Sequence, residues 1–275
     1  LFFKNTQQVT VNATDGVNES GVDKIYYCVS DTLLTDSASL DSATWTQISN
    51  GGSFNINPNA KVCVYVKIMD KAGNAAYISS KGIVVYTDSA RDTDKITFTK
   101  TSAEDVTATV TLNGNTISKV TNGTTELTKG SHYTISADGA TITFKASYLQ
   151  TLSAGDYTIN VSYNPMGETY VDAEGNDQPV DTSITLSVKR VSSDNADTKI
   201  TNKDNLSKEY NGQPTEAATP SSKNGSTPKV EYKKKGNPDS SYTEEVPKDA
   251  GDYVVRVTYP QDENYEETSV TEEFT

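Results

Sequence analysis

A motif that occurs twice constrains the fold of this chain more than any other feature. The two copies begin at Ala154 and Ala250, and they read AGDYTINVSY and AGDYVVRVTY. Apolar and polar residues alternate after each tyrosine, which predicts a β-strand with one buried face. Gly155 and Gly251 suit a tight turn into that strand. The sequence therefore predicts a repeated all-β unit.

The tyrosine of each motif indicates which all-β unit this is. Tyr157 and Tyr253 stand at the start of a late strand, where immunoglobulin-like sandwiches place a tyrosine whose hydroxyl bonds to the backbone upstream. The two tyrosines are about 96 residues apart, which is close to the roughly 100 residues of one such sandwich. We therefore predict an all-β chain of three tandem immunoglobulin-like β-sandwich domains.

Polar stretches without apolar periodicity mark the predicted boundaries. TDSARDTD and VSSDNADTKI are of this kind, and they are interpreted as linkers. The domains are expected to span residues 1–90, 91–190 and 191–275. The chain begins with Leu-Phe-Phe rather than methionine, so we expect a fragment of a longer protein.

Charge and composition exclude several classes of partner. The formal net charge is −13 and only 34% of residues are hydrophobic. No basic stripe is present to bind nucleic acid, and no run of about 18 apolar residues is present to insert into a membrane. We expect a monomer, with no nucleic-acid partner and no direct membrane insertion.

Short signals predict three local structures in the middle segment. Asn113-Gly114 lies between alternating segments and predicts a type I′ hairpin. The Ala-Asp-Gly sequence at 137–139 predicts a second hairpin. KASYLQTLSAG predicts a short helical turn that crosses between the sheets.

Two cysteines are too few for a disulfide scaffold. The alternation of their strands places Cys28 and Cys63 on the face away from the predicted core. If the two strands are neighbours, the thiols lie close enough to consider a cross-strand bond, but disulfide geometry is demanding. Both the free and the bonded state stay open.

The first segment resembles a bacterial family. ATDGVNESGVDKIYYCVSD and KVCVYVKIMDKAGNAAYISSKGIVVYTD are similar to the immunoglobulin-like repeats of large bacterial surface proteins. The turn Asp-Lys-Ala-Gly-Asn needs residues that tolerate positive φ, for which Gly73 and Asn74 are suited. Asp70 is interpreted as a turn carboxylate, with a calcium ligand as the alternative.

The other two segments resemble further modules. The stretch from TLNGNTISKV to GDYTINVSY resembles the X2 module, which accompanies catalytic and scaffold modules in bacterial polysaccharide-degrading proteins and is labelled carbohydrate-binding there. YNGQPTEAATPSS and the stretch PKDAGDYVVRVTY resemble MBG domains of bacterial surface proteins. The resemblances imply an exported, modular protein.

Aromatic side chains test the sugar-binding interpretation, because exposed flat rings stack on sugar faces. Trp45 is the single tryptophan and lies outside the X2-like segment. The aromatic residues of that segment fall at positions that favour the core over an exposed platform: Tyr133, Phe144, Tyr148, Tyr157 and Tyr163.

An acidic loop is the weak candidate for a metal site. Its oxygen-bearing residues, spaced so that they would surround a hard cation such as calcium, are Asp172, Glu174, Asn176 and Asp177. A solvated hairpin tip is the favoured interpretation, and no other cofactor is predicted.

Catalysis is not predicted. His132 is the single histidine and the cysteines belong to another predicted domain, so a nucleophile with its base is not recognisable. We predict the extracellular region of a bacterial surface or secreted protein that acts as an adhesion module or spacer, with a glycan or a host or cell-surface protein as partner. The alternative is a carbohydrate-binding region accessory to a polysaccharide-degrading enzyme.

Overall fold

Buried hydrophobic side chains form three separate cores along the chain. In the computed structural model, which describes residues 1–16, 19–171 and 180–275, these cores lie within residues 11–85, 96–188 and 200–274. We refer to the first, middle and third sandwich accordingly. No helix among the described residues is long and apolar enough to cross a membrane.

The first sandwich contains eight strands and one short helix. They are β1 (Phe2–Phe3), β2 (Gln7–Val11), β3 (Val22–Ser30), α1 (Ser37–Ser42), β4 (Thr46–Ile48), β5 (Gly52–Ile56), β6 (Ala60–Asp70), β7 (Ala75–Ser79) and β8 (Ile83–Val85). One sheet has the order β1-β8-β6-β3-β4, with β7 also paired to β6, and the other is β2-β5. Val64 and Val66 of β6 point into the core, as their alternation predicts.

The middle sandwich has the strand order of an immunoglobulin-like domain. Its elements are β9 (Ala90–Arg91), β10 (Lys95–Thr99), β11 (Val106–Thr111), β12 (Thr116–Asn122), β13 (Thr125–Glu126), β14 (Tyr133–Ile135), β15 (Thr141–Phe144), α2 (Ala146–Leu149), β16 (Gly155–Asn164) and β17 (Val180–Lys189). The sheets are β10-β17-β16-β12-β13 and β14-β15-β11-β9. Strand β10 runs parallel to β17, whereas the other pairs are antiparallel. Two sheets in this order match the immunoglobulin arrangement.

The third sandwich is smaller. Its strands are β18 (Lys199–Ile200), β19 (Pro220–Ser221), β20 (Lys229–Lys234), β21 (Tyr253–Tyr259) and β22 (Thr268–Phe274). The sheets are β18-β19 and β20-β21-β22. Strand β21 follows strict alternation, because Val255 and Val257 are fully buried while the residues between them are half-buried.

The predicted Asn113-Gly114 hairpin is wrong, although the turn itself is present. Both residues have positive φ, 52° and 83°, and the Asn115 amide donates to the Leu112 carbonyl at 3.0 Å. The flanking strands β11 and β12 belong to opposite sheets, so the turn carries the chain across the core. The hairpin at 137–139 and the helical turn at 146–149 are confirmed.

The two predicted linkers are more ordered than their polar composition suggests. Residues 90–91 form a strand against β11, and the carbonyls of Thr87 and Asp88 accept the side-chain amides of Asn115 and Asn113 at 2.8 and 2.7 Å. In the second stretch, Val191 is buried. Hydrogen bonding to the backbone, which apolar periodicity does not register, holds both segments.

The cysteines are free. Strands β3 and β6 are neighbours, but their register places Cys28 opposite Tyr65 and Cys63 opposite Ser30. Neither cysteine belongs to the core cluster, as predicted. Cys28 is nevertheless buried, and the hydroxyl of Tyr65, its cross-strand neighbour, accepts from the Leu34 amide at 2.8 Å.

Candidate functional site

The repeated motif makes the same backbone contact twice. The Tyr157 hydroxyl donates to the Ser153 carbonyl at 2.8 Å, and the Tyr253 hydroxyl donates to the Asp249 carbonyl at 3.1 Å. Each acceptor lies four residues upstream of its tyrosine. The hydroxyls therefore fasten the turn to the late strand. Each tyrosine hydroxyl has a structural role, because it is already bonded to the backbone.

The aromatic residues of the middle sandwich mostly fill its core. Tyr133, Phe144 and Tyr163 are 4%, 0% and 2% exposed, which confirms the core interpretation for these three rings. Tyr148 and Tyr157 are half-buried and pack against the same core. None of these five residues is a fully exposed platform.

His132 and Tyr148 form a partly exposed ring pair in the middle sandwich. The ring centroids are 4.7 Å apart with an interplanar angle of 30°. His132 Nδ1 accepts from the Thr128 amide at 3.0 Å, and the Asn122 side-chain amide donates to the Tyr148 hydroxyl at 3.1 Å. Burial raises the pKa of Tyr148, so this hydroxyl stays protonated at neutral pH.

A groove between the first and middle sandwiches gathers a larger set of aromatic and charged groups. It has a volume of about 520 Å³. Its lining residues come from the start of the chain, from the segment just after β8, from the connection between β16 and β17, and from the start of β17: Phe2, Lys4, Tyr86, Asp88, Ser89, Tyr170, Val180 and Asp181. We call this the junction groove.

Three rings from distant parts of the sequence meet in the junction groove. The Phe2 and Tyr170 rings stack at 4.5 Å with an angle of 27°, and Tyr86 meets Tyr170 edge-on at 6.2 Å. The parallel pairing of β1 with β8 explains the placement, because the Tyr86 amide donates to the Phe3 carbonyl at 2.9 Å. Sequence reasoning missed this cluster, since its members are more than 80 residues apart and share no local pattern.

Charged groups flank these rings. Lys4 Nζ lies 2.9 Å from Asp88 Oδ2, and this hydrogen bond raises the pKa of Lys4. Burial raises the pKa of Tyr86. Beside the groove, Lys61 of the first sandwich forms an ion pair with Glu168 of the middle one. The groove thus offers ring surfaces together with hydrogen-bonding groups of both signs.

Trp45 does not form a flat platform. Its indole Nε1 donates to the Leu40 carbonyl at 2.9 Å, and its ring is tilted by 59° from that of Tyr77 at 5.8 Å. Lys67 Nζ lies 5.5 Å from the centre of the Tyr77 ring. Two tilted rings cannot both lie against one sugar plane.

The predicted metal residues Asp172, Glu174, Asn176 and Asp177 lie outside the described residues. Within residues 1–16, 19–171 and 180–275, no group of three or more histidine, cysteine, aspartate or glutamate side chains is close enough to hold a metal ion.

Asp70 serves the turn between β6 and β7. Its carboxylate accepts from the Asn74 amide and from the Asn74 side chain, both at 2.8 Å, and these bonds lower the pKa of Asp70. Gly73 has a φ of 90°. Of the two residues expected to tolerate positive φ, Asn74 does not adopt it, and its side chain closes the turn onto Asp70.

Comparison with known proteins finds a similarity for part of the chain. Residues 92–171 match the family described as carbohydrate binding domain X2. The chain is 39% identical over 99 residues to cellulose-binding protein A of Clostridium cellulovorans; this region is 35% of the chain and 5% of that protein. The chain therefore spans only a small part of that relative.

Two solved structures overlap the chain at low identity. A tri-modular endo-β-1,4-glucanase from Bacillus licheniformis, complexed with cellotetraose, aligns with 69% of this chain over 39% of its own length, at 16% identity and a TM-score of 0.30. A fragment of titin with three immunoglobulin domains aligns with 100% of this chain over 93% of its length, at 11% identity and a TM-score of 0.41.

Proposed function

We propose that this chain is a non-catalytic, extracellular region of a bacterial protein that binds polysaccharide and serves a partner module for polysaccharide degradation. The match of residues 92–171 to carbohydrate binding domain X2 carries the proposal. The 39% identity to a protein named for cellulose binding supports it and points to a β-1,4-glucan as the first ligand to test.

The junction groove is the site that fits such a ligand best. Aromatic faces supply apolar contact to the C–H surfaces of a sugar ring, and carboxylates and ammonium groups bond to its hydroxyls. The groove has Phe2 and Tyr170 for the first task, and Lys4, Asp88 and Asp181 for the second. Its volume of about 520 Å³ lies in the usual range for small-ligand sites.

The groove combines residues of two sandwiches. Tyr170 belongs to the segment that matches the X2 family, whereas Phe2 and Lys4 belong to the first sandwich. Binding in this groove accordingly depends on the contact between the two sandwiches. A groove shared by two sandwiches would also explain how the middle sandwich binds sugar although its own aromatic residues lie largely in its core.

The test measures depletion of the whole chain from solution by insoluble cellulose, with xylan and chitin in parallel. Tyr170→Ala is expected to weaken binding about fivefold, since one ring contact contributes about 1 kcal/mol beyond area burial. Tyr210→Ala is the matched control, because Tyr210 is a 68% exposed tyrosine of the third sandwich. Equal binding by the Tyr170 variant and the unchanged chain would reject the groove.

The non-catalytic part of the proposal has its own test. His132 is the single histidine, and its ring is stacked on Tyr148 with Nδ1 already bonded to the Thr128 amide. No release of reducing sugar is expected from any glycan that the chain binds. Release that persists in a purified His132→Ala variant would instead indicate a carboxylate-based hydrolase.

A role as spacer or adhesion module is the second candidate. It is favoured by the ordered connection between the first and middle sandwiches, in which the side-chain amides of Asn113 and Asn115 donate to the carbonyls of Asp88 and Thr87, respectively. A stalk would gain from such bonds because they limit bending. Failure of the folded chain to bind plant, mucin or microbial glycans, together with binding to a host or bacterial surface protein, would favour this function.

A further inference from the structure

A buried asparagine lies where the first and middle sandwiches meet. Asn115 stands between the Asn113-Gly114 turn and strand β12, and it is only 3% exposed. A side-chain amide has two hydrogens to donate and an oxygen to accept, and a buried amide needs partners for both. The partners of Asn115 come from two distant segments of the chain, one on each side of the junction groove.

The nitrogen of this side chain bonds to the connection between the two sandwiches. Nδ2 donates to the Thr87 carbonyl at 2.8 Å and to Ser89 Oγ at 2.9 Å. Ser89 is itself buried, and its hydroxyl donates to the Leu112 carbonyl at 2.9 Å. Both hydrogens of the amide are therefore used on residues 87–89, which lead from β8 of the first sandwich to β9 of the middle one.

The oxygen of the same side chain bonds to a turn that follows β16. Oδ1 accepts from the Met166 amide at 3.1 Å. Met166 has a φ of 49°, which residues other than glycine seldom adopt, so this turn depends on support from its surroundings. Two groove contacts follow directly after it, since Glu168 forms the ion pair with Lys61 and Tyr170 stacks on Phe2.

Adjacent residues of the connection bond to different sandwiches. The Tyr86 amide donates to the Phe3 carbonyl of the first sandwich at 2.9 Å, and the next residue, Thr87, accepts from Asn115 of the middle sandwich. Neighbouring domains usually move relative to each other when a flexible linker joins them. In this chain, a change in the angle between the two sandwiches has to break or strain one of these bonds.

Other polar contacts cross this boundary at the surface. The side chains of the Lys61–Glu168 ion pair are 55% and 42% exposed, and exposed ion pairs contribute little because water competes for both groups. Asn113 Nδ2 donates to the Asp88 carbonyl at 2.7 Å, also at an exposed position. The bonds of Asn115 are shielded from water, so their loss leaves buried groups unpaired and costs more.

We propose that Asn115 is a positioning residue, which fixes the orientation of the first sandwich relative to the middle one and thereby holds the junction groove in shape. Tyr86 and Asp88 line the groove beside the segment that Nδ2 binds, and Tyr170 lines it beyond the turn that Oδ1 binds. A ligand then meets a preorganised groove and does not have to order it on binding. The statement about ligand binding rests on the proposed function, whereas the statement about orientation does not.

The test compares the unchanged chain with Asn115→Asp. Aspartate has the same shape and keeps an oxygen for the Met166 amide, but it lacks both donors. A carbodiimide reagent, which condenses an amine and a nearby carboxylate into an amide, is used to crosslink Lys61 to Glu168 across the boundary, and mass spectrometry quantifies the product. The reference product joins Lys95 to Asp156, which lie 3.9 Å apart within the middle sandwich, so it also reports that this sandwich is folded.

The ratio of the Lys61–Glu168 product to the reference is expected to fall to about half or less in Asn115→Asp, since each lost buried bond shifts the orientation equilibrium about fivefold. Asn224→Asp is the matched control. Asn224 is 2% exposed and its Nδ2 donates to the carbonyls of Pro260 and Glu266 at 3.0 and 3.4 Å, within the third sandwich. An unchanged ratio in Asn115→Asp, or an equal fall in Asn224→Asp, would overturn the proposal.

A second variant decides the matter if Asn115→Asp unfolds the middle sandwich and the reference product is lost. Ser89→Ala removes one acceptor of the Asn115 amide from the connection, and Ser89 does not belong to the core cluster of the middle sandwich. The same ratio is expected to fall in this variant, by less than in a folded Asn115→Asp chain. A ratio equal to that of the unchanged chain would refute the positioning role.

Depletion by insoluble cellulose separates this inference from the proposed function. If the unchanged chain binds cellulose, a folded Asn115→Asp chain is expected to bind about fivefold more weakly, whereas Asn224→Asp should bind as the unchanged chain does. Full binding by Asn115→Asp despite a lower crosslinking ratio would contradict the link between orientation and groove. Absence of binding by the unchanged chain would reject the proposed function, and the crosslinking ratio would still decide whether Asn115 fixes the orientation.

Discussion

Removal of the tyrosine hydroxyl from each copy of the repeated motif tests whether the two hydrogen bonds contribute equally to stability. Tyr157→Phe and Tyr253→Phe keep the ring and delete only the bond to the Ser153 or Asp249 carbonyl. The bond of Tyr157 is exposed, so water replaces it at a loss of about 0.5 kcal/mol, whereas the partly buried bond of Tyr253 contributes about 1 kcal/mol. The longer bond is thus expected to matter more.

Each loss should stay within one sandwich, because the cores are separate. About 1 kcal/mol corresponds to about 4–8 °C in the melting temperature of a domain this small. Hydrogen exchange with mass spectrometry locates the change, in residues 155–164 for Tyr157→Phe and 253–259 for Tyr253→Phe. Tyr77→Phe in the exposed strand β7 is the control. An unchanged segment 253–259 in the Tyr253 variant would refute the reasoning.

Three further variants address the core, an ion pair and a turn. Leu149→Ala should destabilise the middle sandwich by about 3 kcal/mol in urea unfolding, because Leu149 is 0% exposed; a loss below 1 kcal/mol would contradict its place in the core. Lys229 and Arg256 lower the pKa of Glu231 below the usual 4.5, so Glu231 stabilises the third sandwich above that pH and the contribution disappears as pH falls through the lowered pKa. Glu231→Gln should therefore melt earlier than the unchanged chain at pH 7, by a difference that shrinks as pH falls below 4.5; a pH-independent difference would oppose this. Gly73→Ala meets no atom within 4 Å but has a φ of 90°, so differential scanning calorimetry should show only backbone strain of about 1 kcal/mol; no shift would argue against the positive φ.

Local patterns predicted what depends on local geometry. Alternation in the AGDYTINVSY copy placed Ile159, Val161 and Tyr163 on one face, and all three are buried. The positive φ values at Asn113 and Gly114 follow from residue type. Whether the flanking strands then pair or separate depends on contacts across the core, which an eight-residue pattern does not contain, and there the prediction was wrong.

The candidate site depends on contacts between residues that are distant in the sequence, which local patterns do not contain. Phe2, Tyr86 and Tyr170 come together because β1 pairs with β8 and because the middle sandwich packs against that edge. Individually each is an ordinary aromatic residue near the end of a strand. Alternation also placed Cys28 on the face away from the core, but it does not show whether that face is covered, and Cys28 is buried.

The parallel pairing of β10 with β17 has a mechanical consequence. The amino end of β10 and the carboxyl end of β17 lie at opposite ends of the sheet, so a pulling force along the chain slides these two strands past each other. The five paired positions between Lys95–Thr99 and Thr185–Lys189 then share the load together rather than opening one after another. Under tension, we therefore expect β10 and β17 of the middle sandwich to separate in a single step.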